Sequence, residues 1–288
     1  MKRIAIVIHT RKPKAKKVAL KLIPWLNEQN IKVLMTKSDA LDIGHVGLGV
    51  EEDVFTEKAD LLIALGGDGT ILRAVRLLKG RDAPILGVNL GKLGFLAEVN
   101  ADKLFNVFSQ IIKGKYKQDR RMLLRCEIIK DDKVIFTQDV LNEVVAGRGA
   151  RHRLTKIEVD INGKPFKSYS ADSVIFSTPT GSTAYSLSAG GPIVSPKTKL
   201  IIMTPVCPHS FFNRSIVLSK EDEIILSCPD KQKGFTLSFD GITHIKEENF
   251  SYLRISISPN EVSLIRLAEY DFYTTLKEKL DIWTRMGD

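Results

Sequence analysis

Asp68 stands in Gly66-Gly67-Asp68-Gly69-Thr70, directly after the apolar run Leu61 to Leu65. Ile71, Val75 and Leu78 follow at helical spacing, with Arg73 and Arg76 on another face and Gly80 as a stop signal. A glycine-rich passage from strand to helix lets the backbone approach a ligand closely. The helix N-terminus then presents unpaired N–H groups and a positive dipole end to phosphate. A carboxylate in such a cradle repels phosphate unless it faces a hydroxyl or a bound cation, so Asp68 reads either as that group or as a plain helix cap. No Lys-Ser or Lys-Thr follows, which excludes a Walker A loop, and Gly44 to Gly49 does not spell GxGxxG.

Asn142-Glu143 lies inside Val140 to Ala146, which reads as a strand with apolar faces on both sides. Buried there, both polar groups need partners, either the protein's own backbone or a ligand at a cleft. The segment Ser177 to Pro192 is dominated by glycine and small hydroxylated residues, with Tyr185 available for stacking. It reads as a ligand-lining loop in which Ser182 caps a short helix ended by Gly190-Gly191-Pro192.

The elements that must position these residues follow from periodicity. Strands at Ile4 to Ile8, Ile31 to Met35, Leu61 to Leu65 and Ile85 to Val88 alternate with helices. The helices run from Ala15 to Gln29, interrupted at Pro24, from Ile71, and from Ala101 to Lys113; a glycine-punctuated loop passes through Gly44, Gly47 and Gly49. Such alternation argues for a parallel sheet covered on both faces. After Tyr116 short β-rich segments succeed one another, with Asn162-Gly163 as a hairpin signal, and predict an antiparallel sandwich. Phe272, Leu276, Leu280 and Trp283 then restore helical spacing. The fold class expected is α/β followed by β: an N-terminal α/β domain over 1–118 and 268–288, and a β-sandwich over 119–267.

The chain of 288 residues carries a net charge of +9, from 43 Lys and Arg against 34 Asp and Glu. Residues 1–21 hold eight of the basic side chains and no acidic one, leaving 35 positive and 34 negative charges elsewhere. The basic end, with Arg11, Lys12, Lys14, Lys16 and Lys17 beside the first strand, suits a polyphosphate better than nucleic acid. No apolar stretch is long enough to span a bilayer, and the run after Met1-Lys2-Arg3 is too short for a signal sequence. Three scattered cysteines without a CxxC pair suit a reducing compartment. The expectation is a cytoplasmic protein with no membrane partner and no protein metal site.

Gly66-Gly67-Asp68-Gly69-Thr70, Val88 to Phe95, Asn142-Glu143, Thr178 to Pro192 and Asp240-Gly241 occur in the order and spacing of bacterial NAD kinases. The chain resembles that family over nearly its whole length. GGDGT alone is shared with lipid and sugar kinases, whereas the TPTGSTAYSLSAGGP segment is far more specific. The resemblance implies a Rossmann-like domain, a β-sandwich, and a C-terminal helix returning to the first domain, with the active site between the domains. It implies phosphoryl transfer from ATP or polyphosphate to the 2′-hydroxyl of the adenosine ribose of NAD. Mg²⁺ or another divalent cation would arrive on ATP, and the assembly would be a homodimer or homotetramer.

By the same resemblance Asp68 is the catalytic group, with Gly67 and Gly69 against phosphates, Thr70 and Arg73 as further cofactor-binding residues and Phe95 at the adenosine. Asn142 and Glu143 hold ribose and adenine-side groups, and Asp172 faces the nicotinamide end. Thr180, Thr183, Ala184, Tyr185 and Ser188 pack around the dinucleotide, and Asp240 supports the site. An ordinary aspartate is too weak a base to ionise an alcohol before attack, so Asp68 would orient the hydroxyl and take its proton late. Two other readings remain at this point: a lipid or sugar kinase of the GGDGT group, and a non-catalytic dinucleotide-binding regulator.

Overall fold

A computed structural model describes residues 2–9, 11–91, 94–97, 99–148, 154–210, 212–228, 235–246, 250–267 and 271–285, with backbone alone for 56, 244–246 and 280–285. Lys92 and Leu93 of the Val88 to Phe95 motif, and the side chains of Leu280 and Trp283, lie outside this description. The chain divides into two compact units, 1–120 with 262–288 and 121–261.

The first unit runs β1 (Arg3–Ile8), α1 (Pro13–Glu28), β2 (Lys32–Thr36), α2 (Lys37–Asp42), β3 (Gly49–Val50), α3 (Glu52–Lys58), β4 (Leu61–Gly66), α4 (Asp68–Leu78), β5 (Ile85–Asn89), β6 (Val99–Asn100) and α5 (Leu104–Ile112). Its parallel sheet has the order β3-β2-β1-β4-β5, with β6 paired to β5. Ile4 to Ile8 and Leu61 to Leu65 are unbroken apolar runs because they are buried along their whole length. The sheet order reverses between β1 and β4: α1 leads away towards β2, and α4 leads towards β5. Loops leaving neighbouring strands in opposite directions open a crevice at the strands' carboxyl ends. The residues after β1 and the glycines after β4 meet there, and His9 N–H donates to Leu65 O at 2.9 Å.

Two expectations change in this unit. α1 continues through Pro24 without interruption. Proline removes the hydrogen bond to the carbonyl of Leu20, and Leu20 lies on the solvent side at 41% exposure, where the loss is tolerated. The loop expected through Gly44 to Gly49 is preceded by α2, whose first turn is capped when Thr36 Oγ1 accepts from Asp39 N–H. The Asp39 side chain is fully buried.

The second unit contains β7 (Lys117–Lys130, from 121), β8 (Lys133–Val140), β9 (Glu143–Gly147), β10 (Thr155–Ile161), β11 (Lys164–Ala171), β12 (Ser173–Ser177), α6 (Tyr185–Ser188), β13 (Ile201–Val206), β14 (Ile216–Leu218), β15 (Ile224–Ser227), β16 (Thr236–Phe239), β17 (Ile242–Lys246) and most of β18 (Tyr252–Arg266). One sheet runs β11-β10-β15-β18 and continues through β7 to β8; the other runs β14-β13-β12-β9-β16-β17. Leu124, Val159 and Tyr169 from the first meet Phe176, Met203 and Leu237 from the second in one apolar core. The β10–β11 hairpin turns on Asn162 and Gly163, at φ +52° and +72°, as a two-residue turn requires.

The last residues of β18 return to the first unit, where Leu264 pairs in parallel with Ile85 of β5. The domain boundaries expected at 118/119 and 267/268 therefore fall at 120/121 and 261/262. The closing helix α7 (Phe272–Arg285) belongs to the first unit as well.

Candidate active site

Gly67 occupies the N-cap position of α4, so Asp68 does not cap its own helix. Its carboxylate instead gathers a distant loop: Oδ2 accepts from Phe95 N–H at 2.8 Å, and Oδ1 accepts from Leu96 and Ala97 N–H at 3.1 and 3.2 Å. A carboxylate offers about four acceptor positions. Among the described residues three are taken, which leaves one on Oδ2.

This arrangement explains Gly94, where a Cβ would sit 1.9 Å from Asp68 Oδ1. Gly94→Ala is expected to cost about 1–3 kcal/mol of stability and to lower turnover by displacing Asp68. Urea midpoints and initial rates measure both effects; wild-type values for each would show that the carboxylate has room to move.

A cavity of about 570 Å³ opens over these residues. It is lined by Gly66 to Thr70, Gly94 and Phe95, by Asn89 of β5, by His9 and Lys12 after β1, and by Lys279 of α7. Gly67, Asp68, Gly69, Thr70 and Phe95 thus line one cavity. Of the five basic residues expected near phosphate, Lys12 is the one that lines the cavity. Arg11, Lys14 and Lys17 are exposed, a solvated face of the turn and helix that follow β1. Sequence reasoning missed His9, Asn89 and Lys279. His9 was recoverable from its place at the end of the first strand, but nothing in the spacing distinguishes Lys279 from Lys277.

Arg73, expected at a ligand, is held elsewhere. Its Nη1 donates to Asp39 Oδ1 and Oδ2 at 2.8 and 3.0 Å and to Ile8 O at 3.1 Å, while Asp39 Oδ2 also accepts from Ile8 N–H. Burial raises the Asp39 carboxyl above its usual range despite the opposing Arg73 charge. The pair ties α4 to the end of β1 and so fixes both walls of the crevice. Arg73→Leu is expected to destabilise the fold by about 2 kcal/mol, less than for a fully buried pair because Arg73 keeps some solvent contact. Adding Asp39→Asn should recover much of that loss in a double-mutant cycle. Equal stability of Arg73→Leu and wild type would contradict the role.

In the second unit β8 ends at Val140 and β9 begins at Glu143. Leu141-Asn142 is therefore a bend rather than a strand interior, and the alternating faces expected for Asn142 and Glu143 do not hold. The cause is Asp240, which with Gly241 forms the two-residue turn between β16 and β17 at φ +46° and +76°. Its carboxylate accepts from Leu141, Asn142 and Glu143 N–H at 2.9, 2.7 and 3.2 Å and folds the bend around itself.

The Thr178 segment packs directly on this bend. Thr178 N–H donates to Asn142 O at 2.9 Å, and a Cβ on Gly181 would lie 2.2 Å from the same oxygen. Ser182 is not a helix cap. It sits within the turn Gly181–Thr183, where Oγ donates to Pro179 O and accepts from Val194 N–H. Thr180 Oγ1 accepts from the buried Arg121 guanidinium, a partner that sequence reasoning missed, and Thr183 Oγ1 donates to Thr180 O. Ala184 is half-buried, Ser188 is exposed and Tyr185 is 44% exposed, so this end of the segment faces outward. Asp172 is paired with Arg148, Nε to Oδ1 at 2.8 Å.

Glu143 is the unsatisfied group of this cluster. It is only 6% exposed; Tyr185 N–H donates to its carboxyl, and Oε2 has no hydrogen-bond partner among the described residues. Burial first, and the neighbouring Asp240 charge second, push its pKa to about 8, against the opposing Tyr185 hydrogen bond. A buried polar atom left open in this way fits a ligand hydroxyl. Among the described residues, no three or more His, Cys, Asp and Glu side chains gather as a metal site, and no helix is long and apolar enough to cross a membrane.

Comparison with known proteins places this geometry in context. Residues 48–116 match the family model of the ATP-NAD kinase N-terminal domain, and 141–267 match that of the ATP-NAD kinase C-terminal domain. The NAD kinase of Caldanaerobacter subterraneus subsp. tengcongensis is 39% identical over 280 residues, covering 97% of this chain and 99% of its own. That of Geobacter metallireducens is 38% identical over 97% of this chain and 98% of its own. Yeast NADH kinase complexed with NADH superposes with a TM-score of 0.88 at 28% identity, covering 98% of this chain and 88% of that one. An Archaeoglobus fulgidus NAD kinase shares the fold, with a TM-score of 0.74 at 21% identity over 97% of this chain and 98% of that one.

Proposed function

The chain belongs to the NAD kinase family, and from that premise we propose that it transfers the terminal phosphoryl group of ATP to the 2′-hydroxyl of the adenosine ribose of NAD, forming NADP. The observation that carries the mechanism is the single acceptor position left on Asp68 Oδ2, beside the open backbone of Gly67 and Gly69.

In the proposed step the ribose 2′-hydroxyl donates to Oδ2 while its oxygen approaches the terminal phosphorus. The new O–P bond forms as the bond to the bridging oxygen breaks, ADP leaves, and the proton passes to Asp68 Oδ2 and then to water. Such a transition state is loose, so the protein contributes orientation and charge neutralisation rather than covalent chemistry. The donor enters as its complex with a divalent cation, which is part of the substrate and offsets the phosphate charge. The hydrogen bonds from Phe95, Leu96 and Ala97 hold the carboxylate still during the transfer, a preorganisation that costs nothing at the moment of reaction.

Glu143 would take a ribose hydroxyl on its open Oε2, with the Asn142 bend held in shape by Asp240. Thr183, Ala184, Tyr185 and Ser188 would pack on the dinucleotide, and Asp172 would reach its nicotinamide end with Arg148 as partner. The yeast relative's complex with NADH supports a dinucleotide ligand. The match of 141–267 to the NAD kinase C-terminal domain favours this reading over a lipid or sugar kinase. We propose a homodimer or homotetramer on the strength of the family resemblance.

The test is a panel of NAD and NADH against ATP and polyphosphate, read as NADP or NADPH. Formation of either product supports the reading. Dinucleotide binding with no product from any donor would leave a non-catalytic binder in its place.

A further inference from the structure

Two lysines converge on the first-unit cavity from opposite ends of the chain, Lys12 at the start of α1 and Lys279 from α7. Among the described residues neither ammonium group has an ion-pair partner, although other exposed cations of this unit do: Lys37 with Glu51, Lys79 with Asp53, Arg81 with Glu57. Lys279 Nζ lies over the Phe95 ring, 5.8 Å from its centroid, and Phe95 N–H is the group bound by Asp68 Oδ2. The position of the lysine is thus linked to the loop that the aspartate holds. His9 Nδ1 faces no hydrogen-bond partner although it is buried.

Among the described residues, the Asn89 and Thr70 side chains have little left with which to read a nucleobase, and His9 offers a single ring nitrogen. The Asn89 carboxamide is used by Gly91, donating to its carbonyl and accepting from its N–H, both at 3.0 Å. Thr70 is buried and its Oγ1 packs against the Gly66 backbone. What remains is positive charge facing the N-terminus of α4, next to an aspartate that repels an anion unless cations offset it.

We propose that Lys12 and Lys279 clamp the phosphate chain of the phosphoryl donor, so that the first unit recognises the donor by its phosphates and not by its base. The proposal rests on the kinase reading above and assigns the donor class to this site. Lys12 and Lys279 act as binding and positioning residues.

Two measurements test it. In steady-state kinetics, Lys12→Gln and Lys279→Gln are each expected to raise the donor KM about tenfold while leaving the NAD KM unchanged, the loss of one charge-assisted contact. GTP and CTP should show KM values close to that of ATP, and Lys14→Gln, on the solvated face, should behave as wild type. In calorimetry, inorganic tripolyphosphate should bind the wild type and bind each glutamine variant correspondingly more weakly. Lys279→Arg should restore binding, which separates the charge from helix packing. Unchanged tripolyphosphate affinity and donor KM in both variants would overturn the clamp, and so would a strong preference for ATP over GTP and CTP that survives both substitutions. If no donor yields product, the kinase reading fails, and the calorimetry still decides for or against the clamp.

Discussion

Asp68→Asn is expected to reduce kcat by roughly 10²–10⁴-fold, the range for removing a positioned proton acceptor. The geometry sharpens why. Oδ1 accepts two backbone N–H groups and Oδ2 accepts one. An asparagine oxygen can replace Oδ1 and keep Leu96 and Ala97, but its amide then points a donor at Phe95 N–H. The substitution therefore removes the open acceptor for the 2′-hydroxyl and loosens the loop that carries Phe95. NAD affinity, measured by calorimetry, should fall much less than turnover, because the substitution leaves the other residues proposed to hold the dinucleotide unchanged. A variant that retains turnover within about tenfold of wild type would remove Asp68 from the proton path.

Glu143→Gln is expected to stabilise the protein at high pH, by an amount that depends on pH in a defined direction. The folded-state pKa is raised from the ordinary 4.5 to about 8. The folded protein thus holds a proton that the unfolded chain releases between these values, and stability falls as pH rises through that window. One pKa unit corresponds to about 1.4 kcal/mol, so the penalty on the wild type above pH 8 is roughly 3–5 kcal/mol. Glutamine is isosteric and cannot ionise, so its advantage over wild type should be small near pH 5 and reach that range near pH 9. Urea unfolding of both proteins at three pH values measures the difference directly; a difference independent of pH would mean that Glu143 has found a partner. The same substitution should weaken NAD binding, because the amide oxygen keeps the Tyr185 N–H and the amide nitrogen left in place of Oε2 cannot accept a ribose hydroxyl.

Much of this architecture was readable from residue patterns, and the exceptions have physical causes. Unbroken apolar runs at Ile4 to Ile8 and Leu61 to Leu65 could be placed as strands because a doubly covered parallel sheet tolerates nothing polar within them. The glycines around Asp68 announced a close backbone approach. What could not be read was the partner of each polar group, since hydrogen bonds join residues far apart in the chain. Asp68 reaches Phe95 to Ala97, Asp240 reaches Leu141 to Glu143, and Asp39 reaches Arg73 and Ile8. The last of these gives Arg73, a candidate ligand residue, a structural partner in the buried Asp39. Asp240 likewise interrupted the strand expected from Val140 to Ala146, because three amides bending towards one carboxylate cannot also continue a sheet ladder. Lys279 was hidden for a different reason: an exposed helix face and a ligand-facing one share the same composition.

The phosphoryl group is expected on the 2′-oxygen of the adenosine ribose. Proton and phosphorus nuclear magnetic resonance of the product, made by the purified protein from NAD and ATP with Mg²⁺, reads that position directly. A single new phosphomonoester coupled to the adenosine H2′ is expected, appearing in step with ADP. ADP without that resonance, or a phosphomonoester coupled to H3′, would contradict it.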